Sequence, residues 1–351
     1  MRLGMNLLYK EDLSHILELR LPWEKMEGKS ILISGARGLI ASCLIDALML
    51  KNREGMNCKI YAIGRNAESA RNRFYDYWEN PLFEFFSCDV NSPITIHDMS
   101  RIDYVLHMAS NTHPVAYATD PIGTITANII GTNNMLKFAE EHQVLRFAFV
   151  SSNEIYGENR GDVELFDENY CGYIDSNTLR AGYPESKRCG EALCQAYIKQ
   201  KGLNIVIPRV TRSYGPTMLE SDTKAISQFI KKGINGEDIV LKSTGTQYYS
   251  YTYVSDAVSG LLTVLLNGKN GEAYNIADSK SDIMLKDLAK MVAEVCGTKI
   301  IHEIPDSVEK SGYSTATKAR LNGDKIAKLG WKMRYDIKSG IRRTIEILKS
   351  I

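Results

Sequence analysis

The sequence lacks the clustered side chains that mark metal sites and disulfide frameworks. Its seven cysteines are scattered, none forms a Cys-x-x-Cys pair, and no cluster of histidines accompanies them. We therefore expect reduced thiols in a cytoplasmic protein without a bound metal. No apolar run approaches the roughly 20 residues of a membrane helix, and Lys10, Glu11 and Asp12 interrupt the apolar residues that a signal peptide would need.

The chain also lacks an excess of either charge. It carries 43 lysines and arginines against 42 aspartates and glutamates, which gives a formal net charge of +1 over 351 residues. Bulk electrostatics therefore gives no reason to expect nucleic acid or a membrane surface as a partner. Apolar residues make up 44% of the chain, enough for the core of one large domain or two modest ones.

Strand and helix patterns alternate through the first half. A short apolar run at Ser30–Ser34, ending at Gly35, is typical of a buried parallel strand. Similar strand patterns cover 58–63, 82–86, 104–108, 147–150 and 205–207, and helix patterns cover 39–50, 67–78, 121–141 and 183–200. This alternation predicts an α/β fold with a Rossmann-type doubly wound parallel sheet over residues 30–208.

The flanking segments follow other patterns. Residues 1–29 resemble a short helical arm, which we expect to pack on the core; a contact with a second subunit is the alternative. In the second half, helix patterns at 222–233, 254–267, 285–296 and 336–349 alternate with short strands near 239–241, 273–276 and 299–303. We expect residues 209–351 to form mainly a smaller C-terminal α/β lobe for the substrate, with the chain crossing between lobes.

A glycine-rich turn joins the first strand to the first long helix. Gly35 permits a tight turn and Gly38 permits close approach of a pyrophosphate to the backbone, so Gly35, Arg37, Gly38, Leu39 and Ile40 are predicted to bind a dinucleotide. The second strand ends without the acidic residue that would bind the adenosine ribose of NAD. Arg65 lies there instead and leaves NADP open beside NAD.

Tyr183 and Lys187 are four residues apart on a predicted helix and would share one face. An ammonium beside a phenol favours the phenolate, so we expect Lys187 to lower the pKa of Tyr183 and make it a general base or acid. Ser152 could hydrogen-bond the same substrate oxygen. The three residues are suited to removing a proton from an alcohol while a hydride leaves its carbon.

These motifs, in this order, resemble the extended short-chain dehydrogenase/reductases, the NAD-dependent epimerase/dehydratase family that acts on nucleotide sugars. The resemblance runs from about residue 28 to the C-terminus and implies a tightly bound, recycled NAD or NADP. It implies cofactor contacts from Asp89, Val90, Met108, Ala109, Ser110, Asn128, Tyr183 and Lys187. It implies catalytic roles for Ser152, Glu154, Tyr183 and Lys187. It also implies substrate contacts from Asn111, Asn153, Arg180, Arg212 and Tyr249.

Two positions depart from the family pattern. The family usually has Asn four residues before the proline of its Tyr-Gly-Pro segment, where this chain has Arg212. It often has Arg shortly before the Tyr-Val-x-Asp segment, where this chain reads Gln-Tyr-Tyr-Ser over 247–250. Both positions face the nucleotide sugar in relatives, so we expect the pyrophosphate to be held differently here.

The resemblance is nearest to UDP-glucuronate decarboxylases and sugar 4,6-dehydratases. Either reaction begins with oxidation at C4 of the sugar, and Glu154 suits the step that follows. Asn153 cannot donate a catalytic proton, which disfavours one dehydratase type. A 4-epimerase, a 4-keto sugar reductase and a non-enzymatic dinucleotide sensor remain alternatives. Relatives commonly pair through a four-helix bundle, which implies a homodimer built from 121–141 and 183–200.

Overall fold

A parallel sheet forms the centre of the molecule. The computed structural model describes residues 2–96, 101–112, 114–307, 313 and 316–351. The strands are β1 Ser30–Ser34, β2 Lys59–Gly64, β3 Phe83–Ser87, β4 Tyr104–His107, β5 Arg146–Phe149, β6 Ser151–Ser152, β7 Ile205–Val210, β8 Arg212–Tyr214, β9 Ile239–Leu241, β10 Tyr248–Tyr253, β11 Ala273–Ile276, β12 Asp282–Met284, β13 Ile300–His302 and β14 Lys318–Ala319. The helices are α1 Leu7–Leu17, α2 Leu39–Arg53, α3 Ala67–Arg73, α4 Pro114–Thr119, α5 Pro121–Glu141, α6 Gly182–Lys201, α7 Ala225–Ile234, α8 Val254–Asn267, α9 Leu285–Cys296, α10 Asp324–Ala327 and α11 Ile337–Lys349.

The large sheet has the order β3-β2-β1-β4-β5-β7-β11, and β6 pairs with the end of β7. Its neighbouring strands are parallel, so each crossover needs a helix on one face or the other. Helices α5 and α6 pack together on one face, and α2 and α8 on the other. The order reverses between β1 and β4, which creates a crevice at the carboxyl ends of these strands. The predicted doubly wound α/β fold is confirmed.

A second group of strands lies in the C-terminal half. Strand β10 pairs with β8, β12 and β14, and β9 pairs with β13. Strand β11 belongs to the large sheet although it lies late in the chain, so the chain does cross between the two sheets. Both β8 and β10 end beside the crevice and supply part of its wall.

Strand β10 was not predicted from the sequence, although Tyr249–Tyr253 alternates tyrosine with serine or threonine as a strand does. Both kinds of side chain are buried in the structure. Ser250 donates to the Asp282 carboxylate at 2.5 Å, and the hydroxyls of Thr252 and Thr211 lie 2.6 Å apart. Each polar side chain thus has a partner inside the protein.

The helix predicted over 67–78 is shorter than expected. It ends at Arg73, and a 3-10 turn over Tyr75–Tyr77 follows. Phe74, between the two, is fully buried and lies 5.2 Å from Phe83, ring centroid to centroid. Burying this ring takes precedence over continuing the helix.

The N-terminal arm packs on the core, as expected. Helix α1 begins after Asn6, whose side chain accepts from the Tyr9 backbone N–H at 2.9 Å, and it contacts α2, α8 and α11. Asp12 is fully buried in this contact. Its carboxylate accepts from the Tyr253 hydroxyl at 2.6 Å and from Arg343 Nε at 2.9 Å. One buried carboxylate therefore ties the first helix to the last.

Removal of this carboxylate should be far more damaging than removal of its exposed neighbour. Asp12→Ala should lower the free energy of unfolding by about 3 kcal/mol, because it removes the buried acceptor of both the Tyr253 hydroxyl and Arg343 Nε. Glu11 is the matched control, since it contacts the same Arg343 at 3.2 Å but its side chain is 56% exposed. Glu11→Ala should cost less than about 1 kcal/mol. Urea denaturation measures both, and equal losses would contradict the assignment of Asp12 as the anchor.

Candidate active site

A deep cleft opens at the crevice between β1 and β4. Its volume is about 680 Å³, near the middle of the range of ligand-binding sites. The loops that follow β1, β2, β3, β4 and β6 form one wall, and residues from β8, α7 and β10 form the other. The cleft therefore lies where doubly wound folds bind their ligands.

The glycine-rich turn forms the base of the cleft. Gly35 has φ +68°, and a Cβ added there would lie 2.8 Å from the Cα of Ala109. The turn thus approaches the loop after β4 more closely than any side chain would allow. Gly38 is the N-cap of α2 and no side chain caps the helix, so the first N–H groups of a 15-residue helix are left for an anion. These features fit the pyrophosphate of a dinucleotide.

The other predicted cofactor residues lie along the same wall, with one exception. Those lining the cleft are Arg37, Leu39, Ile40, Arg65, Asp89, Val90, Met108, Ala109 and Ser110. Asn128 does not line it. Its amide donates to the Ser186 hydroxyl at 2.9 Å and is completely buried between α5 and α6. The structure therefore corrects the prediction that Asn128 contacts the cofactor directly, because close helix packing removes it from the cleft.

Arg65 lies at the rim of the cleft, where the second strand ends. Its side chain is exposed, and its backbone carbonyl accepts from the Ser87 hydroxyl at 3.3 Å. Nearby, the Asp89 carboxylate accepts from the Asn91 backbone N–H at 3.0 Å, which shapes the loop after β3. A cation in this position suits a phosphate as well as a ribose hydroxyl.

Tyr183 and Ser152 meet in the middle of the cleft. Tyr183 lies in the first turn of α6 and is only 6% exposed. The Ser152 hydroxyl lies close enough to this phenol to lower its pKa. The same hydroxyl accepts from the Glu154 backbone N–H at 3.2 Å, which fixes its position at the start of a 3-10 turn. The two hydroxyls can therefore contact one substrate oxygen together.

Lys187 lies one turn further along α6 and is buried. Its Nζ donates to the Val150 carbonyl at 2.9 Å and sits 4.9 Å from the centroid of the Phe149 ring. Burial lowers the pKa of Lys187 to about 8. The ammonium is thus held by the end of β5, and part of its charge is lost just above neutral pH.

The structure contradicts the prediction that Lys187 lowers the pKa of Tyr183. Burial raises the pKa of Tyr183 to about 12. The neighbouring Ser152 hydroxyl and the charge of Arg180 act to lower this pKa, and the charge of Glu154 acts to raise it. Helical spacing does bring Tyr183 and Lys187 to one face, but the ammonium is directed to a backbone carbonyl. Loss of solvation raises the pKa of Tyr183 by more than its cationic neighbours lower it.

Glu154 is paired with Arg180. The two form an ion pair whose side chains are 18% and 11% exposed, respectively. Arg180 also lies 4.7 Å from the centroid of the Tyr117 ring, which stacks on Tyr183 at 4.8 Å between ring centroids. A carboxylate, a guanidinium and one aromatic ring, that of Tyr117, therefore lie around the catalytic phenol on one side.

The remaining predicted substrate residues also line the cleft. Asn153 is buried in the 3-10 turn beside Glu154. The Asn111 amide donates to the Thr124 hydroxyl at 3.2 Å. Arg212 and Tyr249 lie on the opposite wall, on β8 and β10, with the guanidinium over the ring. The structure thus places Arg212 and Tyr249, which lie at the two departures from the family pattern, in direct contact.

Tyr117 was not found from the sequence. It lies on α4, a short helix without a recognisable pattern, and no spacing rule relates it to Tyr183. Its ring covers the catalytic phenol, and burial raises its own pKa well above the usual value. Only the packing of α4 against α5 places this ring in the site.

Comparison with protein families agrees with this geometry. Residues 31–277 match the model of the NAD-dependent epimerase/dehydratase family. The chain belongs to this family. The predicted resemblance is therefore confirmed, and the protein is an enzyme of the extended short-chain dehydrogenase/reductase type.

Individual members of the family extend the comparison. UDP-glucuronic acid decarboxylase 1 of Xenopus tropicalis is 30% identical over 324 residues, which cover 92% of this chain and 72% of the relative. UDP-glucuronic acid decarboxylase 5 of Arabidopsis thaliana is 30% identical over 315 residues, 89% of this chain and 86% of the relative. The crystal structure of a dTDP-glucose 4,6-dehydratase from Streptomyces venezuelae, with NAD bound, has the same fold: its TM-score is 0.78 at 20% identity, covering 92% of this chain and 97% of that one.

Two further findings concern metal binding and membrane-spanning helices. Within the described ranges, no group of three or more His, Cys, Asp or Glu side chains could hold a metal ion. Among the described helices, none combines the length and apolar character that crossing a membrane requires.

Substitution of Gly35 should test the base of the cleft. Gly35→Ala should lower the free energy of unfolding by about 3 kcal/mol and weaken NADH binding, because it combines a left-handed backbone with a clash against Ala109. Gly28 is the matched control: its φ is +63°, and an added Cβ would meet nothing within 4 Å. Gly28→Ala should cost roughly 1 kcal/mol and leave NADH binding unchanged. Thermal melting and fluorescence titration measure both effects, and identical behaviour of the two variants would refute the close approach.

Proposed function

We propose that the protein is an NAD-dependent nucleotide-sugar decarboxylase whose substrate is UDP-glucuronate. The observation that carries this proposal is the meeting of Ser152, Tyr183, Lys187 and Glu154 in one cleft that also contains the uncapped start of α2. Such a group is suited to oxidise a sugar alcohol and then act on the ketone. Similarity to UDP-glucuronic acid decarboxylases over about nine-tenths of the chain supports the choice of substrate.

The residues along the first wall would hold the cofactor. The turn over Gly35–Ile40 would bind the pyrophosphate, Asp89 and Val90 the adenosine end, and Met108, Ala109, Ser110 and Lys187 the nicotinamide end. NAD, when bound, would supply the hydride acceptor, a positively charged nicotinamide ring. We assign NAD in preference to NADP on the basis of the family, while exposed Arg65 keeps a 2′-phosphate compatible with the rim.

Tyr183 removes the proton from the 4-hydroxyl, and Ser152 orients the oxygen. With a pKa of about 12 the phenol is protonated at neutral pH, so the site needs added positive charge before Tyr183 can act as a base. Lys187, with a pKa of about 8, can hold or release a proton near neutral pH at the same end of α6. Burial thus suppresses the reaction until the cleft is filled.

We assign Glu154 a role in the step that follows oxidation at C4. A 4-ketone activates a carboxylate at C5 to leave as carbon dioxide, and the resulting carbanion needs a proton at C5. Glu154 lies beside Tyr183, since its charge acts on that phenol, and Arg180 holds it in place. We assign it the proton transfer at C5. Return of the hydride to C4 and of a proton from Tyr183 to the oxygen would then give the pentose and restore the oxidised cofactor.

Sugar 4,6-dehydration is the second candidate. Glu154 would then remove the C5 proton before water leaves from C6. The position beside it holds Asn153, whose amide cannot protonate a leaving hydroxyl. This residue is the reason for ranking decarboxylation first.

A product assay with two variants tests the assignment. UDP-glucuronate should yield a UDP-pentose and carbon dioxide, detected by mass spectrometry, with no net change in NAD. Tyr183→Phe should reduce turnover at least about 100-fold and retain NAD binding, because only the proton acceptor is lost. Glu154→Gln should still form reduced nicotinamide, seen by its absorbance, but release pentose slowly.

Other results would redirect or reject the proposal. Loss of water from a UDP- or dTDP-hexose would identify a dehydratase, and an isomer of unchanged mass an epimerase. Full activity of Tyr183→Phe would remove this residue from the mechanism. Equal slowing of both steps in Glu154→Gln would give Glu154 an orienting role instead.

We also propose the organisation predicted from the sequence: a dinucleotide-binding region over 30–208 and a mainly substrate-binding region over 209–351. A homodimer through α5 and α6 is supported by Ile122 and Ile130, which are 76% and 45% exposed on α5. Light scattering should give twice the chain mass, and a monomer would exclude this assembly.

A cytoplasmic location is supported by seven free thiols, and cell fractionation tests it.

A further inference from the structure

Arg212 and Tyr249 form a stacked pair on the substrate wall of the cleft. The guanidinium carbon lies 3.5 Å from the centroid of the tyrosine ring. The pairing of β8 with β10 sets this contact, because Arg212 is in register with Tyr251, and Tyr249 lies two residues earlier on the same face of the strand. The ring is itself fixed, since its hydroxyl donates to the Ala316 carbonyl at 2.7 Å. The ring therefore holds a planar cation in one orientation.

The guanidinium of Arg212 has an unused donor. Its Nη1 atom is buried and has no hydrogen-bond partner among the described residues. An unsatisfied buried donor costs about 1–3 kcal/mol, and more when it carries charge. Because Arg212 lines an open cleft, an acceptor on a ligand can remove this cost. The planar fork of a guanidinium matches the paired oxygens of a carboxylate or phosphate.

The neighbouring charges identify Arg212 as the available cation in this part of the cleft. Arg180 is already paired with Glu154. Glu158 accepts from the Thr317 hydroxyl at 3.1 Å through one carboxylate oxygen, and its other oxygen is buried without a partner among the described residues. All four charges act on the Tyr249 hydroxyl, whose pKa is raised mainly by burial. They are therefore close enough together to shape one subsite.

We propose that Arg212, oriented by the ring of Tyr249, binds an oxyanion of the substrate. The inference rests on the proposed function, because a UDP-sugar acid carries two such groups, the diphosphate and the sugar carboxylate. The sequence departs from the family pattern at these same two places. This chain thus has a guanidinium on β8, and it has an aromatic ring in the stretch of β10 where the family often has arginine. Arg212 is thus a substrate-binding residue and Tyr249 a positioning residue.

Calorimetric titration of the full chain with UDP, UDP-glucose and UDP-glucuronate tests the proposal. Arg212→Asn should weaken binding about 10- to 100-fold, because it removes a desolvated charged contact. Loss for all three ligands identifies the diphosphate as the bound group, and loss for UDP-glucuronate alone identifies the carboxylate. Arg342→Asn, an exposed arginine on α11, is the control for charge and should bind normally. Unchanged affinity of Arg212→Asn for all three ligands overturns the proposal.

Variants of Tyr249 separate positioning from general packing. Tyr249→Phe keeps the ring and should bind nearly as the parent does, whereas Tyr249→Leu removes the ring and should lose part of the affinity. The double variant Arg212→Asn with Tyr249→Arg should recover binding lost in the single variant. If Arg212→Asn melts at a lower temperature than the parent, Arg212→Lys, which keeps the charge but not the fork, carries the same test. A parent protein that binds none of the three ligands would reject the proposed function, whereas parental binding by the arginine variants would reject this inference alone.

Discussion

The burial of one phenol governs the chemistry of this cleft. Tyr183 lies under a second aromatic ring with its hydroxyl against Ser152, and the loss of solvent raises its pKa to about 12. The charged groups nearby then act on the ionisation of that phenol: Arg180 favours it and Glu154 opposes it. Desolvation thus raises the pKa of the phenol by more than the cation beside it lowers it.

The parts of the fold that sequence patterns predicted well are those whose signals are local. Strands such as β1 are short apolar runs, and helices such as α5 begin with a cap and proline at a readable position. The motif residues of the cleft were found because they follow strands directly. Strand β10 was missed although Tyr249–Tyr253 alternates as a strand does, whereas Tyr117 was missed because only tertiary packing places it. The direction of the Lys187 ammonium was misjudged for the same reason.

The two walls of the cleft differ in how they bind. The first wall uses backbone: a helix start and a turn too tight for a side chain, which suit a ligand common to many enzymes. The second wall uses side chains from β8 and β10, strands that pair with each other outside the large sheet. The stacked pair of Arg212 and Tyr249 is the example in this chain. Substrate choice can therefore diverge while coenzyme capture stays constant.

The tie between the first and last helices has a consequence for biogenesis. Asp12 leaves the ribosome 331 residues before Arg343, its partner. Until then its carboxylate must stay hydrated, since entering the core alone would strand an uncompensated charge. The arm can therefore pack in its final position only after Arg343 has been synthesised, although domains generally fold from the N-terminus as they emerge. Burial of the Asp12 carboxylate is in this way coupled to the synthesis of a residue more than 300 positions later.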